Sequence, residues 1–252
     1  MEEVSVMKLR IRFSKKGPVK FIGHLDILRY FQKAFRRADY DLIYSQGFHP
    51  HPILSFASPL GVGLESEGEY MDLEVNTMDS PAVMLERLNA QMAEGIEANC
   101  YSVLRDDAKN SMSILAAADY KVCFQDGRMP CDRTKMEEMI EAFLACEQIP
   151  VEKKTKKNLL EIDIRPMIRT LSVKEDGSIW MQVSAGSAAN LKPELLLESM
   201  FCQNGIAFDP YALLITRLEM YAADADGRLV PLSEYQAVSA DKLSVCSKEM
   251  EA

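Results

Sequence analysis

Residues 53–75 read ILSFASPLGVGLESEGEYMDLEV, and this stretch decides the fold class. Its two ends are rich in apolar and alternating residues, as strands are, and Gly61 and Gly63 mark a turn between them. A helical pattern precedes this pair of strands and another follows it, and a further strand is predicted on each outer flank. The resulting order is β-α-β-β-α-β, which is typical of a ferredoxin-like unit.

The flanking elements follow from periodicity. In residues 7–13, apolar side chains alternate with Lys8, Arg10 and Arg12, which predicts a strand with one buried and one cationic face. A helix is predicted to begin near Leu25, with Asp26 as its cap or first-turn anion. Its apolar stripe consists of Leu28, Phe31, Phe35 and Ala38.

Ser80 and Pro81 predict the start of the second helix, over about residues 81–94, with Ser80 as the N-cap. A strand near residues 98–104 completes the first unit.

The same order recurs in the second half of the chain. The predicted elements are a strand at 119–125, a helix at 132–146, a hairpin of 158–173 and 178–185 joined by the turn 175–177, a helix at 192–201 and a strand at 213–222. We therefore predict an α+β protein of two tandem ferredoxin-like (βαββαβ) halves, with antiparallel sheets that carry helices on one face. The predicted boundaries are 1–112, 113–223 and a loosely ordered tail at 224–252.

Composition excludes several classes of protein. Apolar residues make up 48% of the 252, enough for a real core, and no uninterrupted apolar run is long enough to span a membrane. The first residues are acidic and then alternating, unlike a signal peptide, so a cytoplasmic protein is expected. The six cysteines form no CxxC pair, which argues against a zinc knuckle or iron–sulfur cluster and favours scattered reduced thiols.

Charge is distributed unevenly along the chain. Residues 1–60 contain ten Lys and Arg against five Asp and Glu, a net charge of +5, although the whole chain carries −9. Such asymmetry indicates one anion-attracting face on a body that otherwise repels anions.

Two groups of cations carry this excess. On the first helix, four residues fall within about 100° of one another, opposite the apolar stripe: Arg29, Lys33, Arg36 and Arg37. An ordinary solvated helix face is one interpretation, and a phosphate-binding surface is the other. Lys8, Arg10 and Arg12 would add to such a surface on the open sheet face, where single-stranded RNA is often held. A second basic patch is predicted from residues 153–157 with Arg165 and Arg169.

All three histidines lie in one short region, His24 before the first helix and His49 and His51 in the stretch YSQGFHPHP at 44–52. Prolines follow both loop histidines and favour extended backbone. The pattern HxH can chelate a metal, with His24 and a glutamate from 65–69 completing the set, but two histidines without a fixed third ligand are a weak motif, and no metal site is predicted. His24 can instead act as an acid–base group with Tyr44 beside it, or simply hold its loop. Together with Gln46, these side chains form the predicted substrate-reading group.

The stretches 21–38, 44–75 and 163–171, which read FIGHLDILRYFQKAFRRA, YSQGFHPHPILSFASPLGVGLESEGEYMDLEV and DIRPMIRTL, resemble the radical-SAM-linked protein family, a domain of unknown function. The resemblance covers most of residues 6–220. It implies an accessory subunit of a radical S-adenosylmethionine enzyme. The chain lacks a three-cysteine cluster motif, so no cofactor is expected on it, and the cluster and S-adenosylmethionine would belong to the partner.

Three hypotheses follow. The first is a non-catalytic partner of a radical S-adenosylmethionine enzyme that binds RNA or another phosphate-bearing substrate and presents it. The second is a metal-independent endoribonuclease with His24 as its acid–base group, an analogy with tandem ferredoxin-like RNA-processing enzymes. The third is a protein–protein scaffold with residues 44–52 as its docking loop.

Overall fold

The computed structural model describes residues 6–125, 127–154, 159–238 and 244–246. Within these residues the protein is a mixed α/β structure with five α-helices and a large, mostly antiparallel sheet. In chain order the elements are β1 Met7–Lys15, α1 His24–Arg37, β2 Leu54–Phe56, β3 Glu65–Val75, α2 Pro81–Asn89, β4 Ile96–Val103, α3 Ser111–Ile114, β5 Leu115–Phe124, α4 Arg133–Ala145, β6 Pro150–Lys154, β7 Leu159–Asp163, β8 Ile168–Val173, β9 Ile179–Ser184, α5 Pro193–Gln203, β10 Leu213–Ala223, β11 Leu229–Pro231 and β12 Ser244–Cys246.

The chain divides into two compact units. Unit 1 contains the residues up to Leu115 and those from Glu219 onward, and unit 2 contains Ala116–Leu218. β10 therefore contributes its first six residues to unit 2 and its last five to unit 1.

In unit 1, β1 pairs antiparallel with β3 on one side and with β4 on the other. Ile11 lies opposite Met71 of β3 and opposite Tyr101 of β4. β2 pairs with β3, and β12 pairs with the other edge of β4. Leu9, Ile11 and Phe13 are at most 1% exposed, so the predicted strand and its buried apolar face are confirmed, whereas Arg10 on the predicted open face is buried as well.

α1 packs its apolar stripe against this sheet. Phe31 lies edge-on to Phe13 and to Phe56, with ring centroids 4.7 and 6.1 Å apart. Phe31, Phe35 and Ala38 are buried as predicted, and Ile27 and Ala34 join them. The helix begins at His24 after Gly23, which offers no side-chain cap, so Asp26 is a first-turn residue rather than the N-cap.

α2 begins as predicted but ends earlier. Ser80 is the N-cap and its hydroxyl accepts a hydrogen bond from the Val83 amide. The chain then turns through Gly95, whose φ is +89° and whose carbonyl oxygen accepts a hydrogen bond from the Lys16 amide at 2.8 Å. A Cβ at this glycine would sit 2.5 Å from the Lys16 carbonyl oxygen, so this close approach of two backbones requires glycine.

In unit 2, β9 lies between β5 and β8. The predicted hairpin turn at 175–177 is confirmed, and α4 buries its predicted apolar face, which consists of Met136, Met139, Ile140 and Phe143. The continuous strand predicted over 158–173 is wrong. A 3₁₀ turn, Arg165–Met167, separates β7 from β8 because Pro166 fixes its φ and lacks an amide donor. β7 pairs instead with β6 in a separate two-stranded sheet.

The segment after β10 packs within unit 1. β11 pairs with the end of β10, and the Val238 amide donates to the Val103 carbonyl. A disulfide joins Cys100 of β4 to Cys246 of β12, a correction to the expectation of scattered reduced thiols. The cysteines at 123, 131, 146 and 202 are free. Among the described helices, none is long and apolar enough to cross a membrane.

Candidate functional site

The predicted cations of β1 each have partners inside unit 1. The Lys8 ammonium donates to the carbonyl oxygens of Asp106 and Ala108, at 2.7 and 3.3 Å. Lys8 also lines a cavity of about 160 Å³ whose walls include Ser55 and Asn110. The ammonium thus closes a loop of its own unit.

Arg10 is buried, with 1% of its surface exposed. Its guanidinium forms a bidentate ion pair with Asp72, at 2.7 and 3.2 Å. The remaining N–H groups donate to the carbonyl oxygens of Leu232, Tyr235 and Lys109, at 3.0 to 3.2 Å. This side chain therefore holds the segment after β11 against β1 and β3.

Arg12 belongs to a polar network on the same sheet. Its guanidinium donates to Glu219 at 3.1 Å and to the Asn99 side chain at 3.1 Å, and the Tyr70 hydroxyl donates to Glu219 at 2.6 Å. Burial raises the pKa of the Glu219 carboxyl above its usual value, and Arg12 opposes that rise. Burial, reinforced by Glu219, also raises the pKa of Tyr70. The network lies beside an open cleft of about 460 Å³ that Lys16 also lines.

The cations of α1 are in a different situation, because all four lie on the exposed side of the helix: Arg29, Lys33, Arg36 and Arg37. Arg29 meets Asp26 at 3.2 Å, with both side chains about 70% exposed, and Arg37 donates to Gln91. Neither Lys33 nor Arg36 forms an ion pair with any residue that the structure describes. This exposed row is the α1 cationic face.

On α4, by contrast, cations are paired with carboxylates of the same helix. Arg133 pairs with Glu137 at 2.9 Å, and Lys135 pairs with Glu138 at 3.3 Å. These contacts at i+4 and i+3 are the usual way in which a solvated helix balances its charges. The α1 cationic face has one such partner, Asp26, at its first turn.

His24 is the first residue of α1 and is exposed. Its ring lies edge-on to Phe56, with centroids 5.2 Å apart. It lines a small cavity together with Lys15 and Glu69, which are only 3% and 4% exposed. An accessible imidazole thus lies beside buried groups of both charges.

The loop at 44–52 is a compact turn closed by a bridge between Tyr44 and Pro52. The Ser45 hydroxyl lies 2.9 Å from Nδ1 of His51, and the His51 carbonyl accepts from the Ser45 amide. Nδ1 of His51 also lies 3.2 Å from the His49 carbonyl oxygen. Tyr44, Gln46, His49 and His51 are all exposed at this loop.

The predicted site residues therefore fall into three groups. His24 and the α1 cationic face share one helix, Tyr44, Gln46, His49 and His51 share one loop, and Lys8, Arg10 and Arg12 share one face of β1. No cluster of three or more His, Cys, Asp or Glu in a metal-binding arrangement occurs in the described part of the chain. In unit 2, the Arg165 guanidinium donates to the Leu144 carbonyl, Arg169 is exposed, and the predicted basic run at 153–157 lies outside the described side chains.

Four residues that lie beside the predicted site residues were not among those predicted: Lys15, Lys20, Phe21 and Glu219. Lys15 is the last residue of β1, where a lysine is expected to be exposed, yet it is buried and donates to the Lys20 and Ile22 carbonyls. Glu219 comes from a strand more than 200 residues beyond Arg12 in sequence. Phe21 ends the turn that Gly17 and Pro18 begin, and its place three residues before His24 is the local signal for it.

Comparison with known proteins gives a family but no described activity. No curated protein matches the chain. The model of one protein family matches residues 8–193, which cover β1, the α1 cationic face and the loop at 44–52. The chain belongs to the family described as "Uncharacterized protein conserved in bacteria (DUF2344)".

Proposed function

We propose that this protein binds RNA or another phosphate-bearing substrate along α1 and presents it to a radical S-adenosylmethionine enzyme, without catalysing a reaction itself. The partner is proposed from the sequence resemblance alone. The substrate class is proposed from the residues of α1 and the loop at 44–52.

The α1 cationic face is the observation that carries the proposal. Four exposed cations occupy one side of a 14-residue helix, and three of them, Lys33, Arg36 and Arg37, lack a carboxylate partner among the described residues. Unneutralised cations in a row attract a polyanion because each phosphate contact releases condensed counterions. The contrast with the paired cations of α4 argues against an ordinary solvated face.

Charge distribution supports the same assignment. The chain as a whole carries −9, which repels nucleic acid, so binding requires a local cationic surface. Lys8, Arg10 and Arg12 are engaged in contacts within unit 1, and the proposal therefore assigns the phosphate contacts to α1 first.

The exposed polar side chains supply recognition in this proposal. His24 stands at the start of the helix, and Gln46, His49 and His51 stand on their loop with Tyr44. Imidazole and amide groups both donate and accept hydrogen bonds, so they can read the edges of bases.

The proposed association with a radical S-adenosylmethionine enzyme is tested separately. Crosslinking in the native cells, followed by mass spectrometry, is expected to recover a radical S-adenosylmethionine protein with the wild-type chain. Its absence from the crosslinked products would leave RNA binding as a separate activity.

A second function is favoured by one observation, the exposed His24 ring beside the buried Lys15 and Glu69. In a metal-independent endoribonuclease, His24 would transfer the proton and cations would stabilise the developing negative charge. Changing His24→Ala would then abolish cleavage of bound RNA and leave its affinity nearly unchanged.

We also propose that each of the two units has a ferredoxin-like fold. It is supported in unit 1 by the neighbours β4, β1 and β3 with β2 on β3, and in unit 2 by the neighbours β5, β9 and β8. Such sheets recur in modules that bind single-stranded RNA.

The experiment that tests RNA binding compares two matched sets of substitutions. Arg29→Gln, Lys33→Gln and Arg36→Gln together remove charge from α1, and Arg133→Gln with Lys135→Gln removes it from α4. The first set is expected to weaken RNA binding strongly and the second to leave it unchanged, as measured by fluorescence anisotropy with labelled RNA. Equal affinities for wild type and the α1 variant would refute the proposal.

A further inference from the structure

Phe21 is a large apolar side chain that the structure leaves 65% exposed. It ends the 3₁₀ turn Gly17–Phe21 and stands three residues before His24, at the start of the helix that carries the α1 cationic face. Among the described residues, no aromatic pair includes the Phe21 ring. Single exposed apolar residues are common, so exposure alone indicates little.

The backbone on both sides of Phe21 is fixed from beneath. The buried Lys15 ammonium donates to the carbonyl oxygens of Lys20 and Ile22, at 3.2 and 2.8 Å. Lys15 is 3% exposed, and burial of a lysine is costly unless its charge is satisfied. Here a buried cation is used to hold the two residues that flank an exposed phenylalanine.

Two further contacts fix the same turn. One oxygen of Glu65 accepts from the Gly17 amide at 3.0 Å and from the Lys20 ammonium at 3.4 Å. The Gly63 amide donates to the Lys20 carbonyl at 3.0 Å. The turn is therefore held by β1, by β3 and by the loop that precedes β3.

One cation lies beside the ring. The Lys20 ammonium lies 5.6 Å from the centroid of the Phe21 ring, and the α1 cationic face begins eight residues further along the chain, at Arg29. An exposed aromatic ring on a fixed turn, followed by a row of cations, fits a ligand with flat faces and a regularly charged backbone. A protein partner needs no such row, and a duplex keeps its bases stacked on one another and so offers few free faces to a side chain.

We propose that Phe21 stacks on an unpaired base of single-stranded RNA whose phosphates continue along the α1 cationic face. This inference rests on the proposed function and narrows its substrate to single strands. Because the contacts of Lys15, Glu65 and Gly63 fix the turn before the ligand arrives, little conformational entropy remains to be lost on binding.

The test uses the full chain and three labelled ligands: a dodecamer of uridine, an RNA duplex of the same length, and an abasic ribose-phosphate strand of the same length. The variants are Phe21→Ala, Phe21→Trp and, as a control in unit 2, Tyr211→Ala, whose side chain is 81% exposed. Dissociation constants are measured by fluorescence anisotropy at one salt concentration, and thermal unfolding checks that each variant is folded.

Phe21→Ala is expected to weaken binding of the uridine dodecamer at least about 5-fold, the lower range for loss of one base stack. Phe21→Trp should retain the affinity, because indole also stacks. The abasic strand and the duplex should bind wild type and Phe21→Ala equally, and Tyr211→Ala should change nothing.

Different outcomes overturn the stacking role of Phe21 and the proposed function. The α1 glutamine variant carries Arg29→Gln, Lys33→Gln and Arg36→Gln. If this variant lost binding of the uridine dodecamer but Phe21→Ala did not, the stacking role would be overturned and the proposed function would stand. An equal loss with the abasic strand would also overturn it, because the effect would then be on the shape of the turn. A wild-type affinity of the α1 glutamine variant for the uridine dodecamer would overturn the proposed function itself.

Discussion

Arg10 shows how one side chain can be misjudged by its position in a pattern. Alternation places it on a cationic strand face, but its guanidinium is fully buried and paired with Asp72. Two of its carbonyl partners, Leu232 and Tyr235, lie more than 220 residues away in sequence. Periodicity predicts which face a residue occupies, but it cannot predict that a distant segment will cover that face.

Changing Arg10→Ala is expected to lower the free energy of unfolding by about 3–5 kcal/mol, because it leaves a partly buried carboxylate and three carbonyl groups without their donor. Urea unfolding followed by circular dichroism measures the loss. Lys33→Ala, on the α1 cationic face, serves as the control and should change stability by no more than about 0.5 kcal/mol. If both variants unfolded at the same urea concentration, the claim that Arg10 holds the segment after β11 would be wrong.

Glu219 gives a prediction about pH. Its pKa is raised by burial above the ordinary value of 4.5, and Arg12 lowers it. The folded state therefore holds this proton more tightly than the unfolded chain does. Stability should accordingly fall as pH rises from 4.5 through the pKa of the folded state.

Carbon-13 NMR of the Glu219 carboxyl should show a titration midpoint above 4.5. Removing the opposing cation with Arg12→Gln should move that midpoint higher, whereas Lys135→Gln in unit 2 should leave it in place. A midpoint at or below the ordinary value, or one that fell in Arg12→Gln, would contradict this account of the network.

For helices and strands, local sequence signals predicted where an element begins better than they predicted the burial of single side chains. Ser80 and Pro81 predicted the first residue of α2 correctly, because an N-cap and its following proline act within a few residues. The break between β7 and β8 was missed even though Pro166 signals it, since the apolar pattern continues on both sides. The close approach of Gly95 to Lys16, which lies 79 residues earlier in the chain, leaves no local signal.

The N-cap of α2 offers a direct test at this scale. Ser80→Ala should lower the free energy of unfolding by about 1 kcal/mol, because the Val83 amide loses its acceptor. Ser80→Asp keeps an acceptor at the cap and should remain close to wild type. Thermal or urea unfolding of the two variants decides the matter, and an alanine variant as stable as the wild type would rule out the capping bond.

For the whole molecule, the uneven charge of the sequence becomes a localised surface. Residues 1–60 carry the net positive charge, but the β1 cations are used within unit 1 and most of the exposed cations lie on α1. The four cations that the sequence places opposite the apolar stripe of α1 are exposed in the structure. The sequence could not separate structural from exposed cations, because that distinction depends on Asp72, Glu219 and the segment after β11, which only the folded chain brings to β1.

The most direct measurement of the central claim is the salt dependence of RNA binding by wild type and by the variant Arg29→Gln, Lys33→Gln, Arg36→Gln. For single-stranded RNA, each phosphate contact contributes about −0.7 to the slope of log affinity against log salt concentration. Removing three contacts should therefore reduce the steepness of the slope by about 2. Equal slopes and equal affinities for the two proteins would contradict the claim that α1 holds the phosphates.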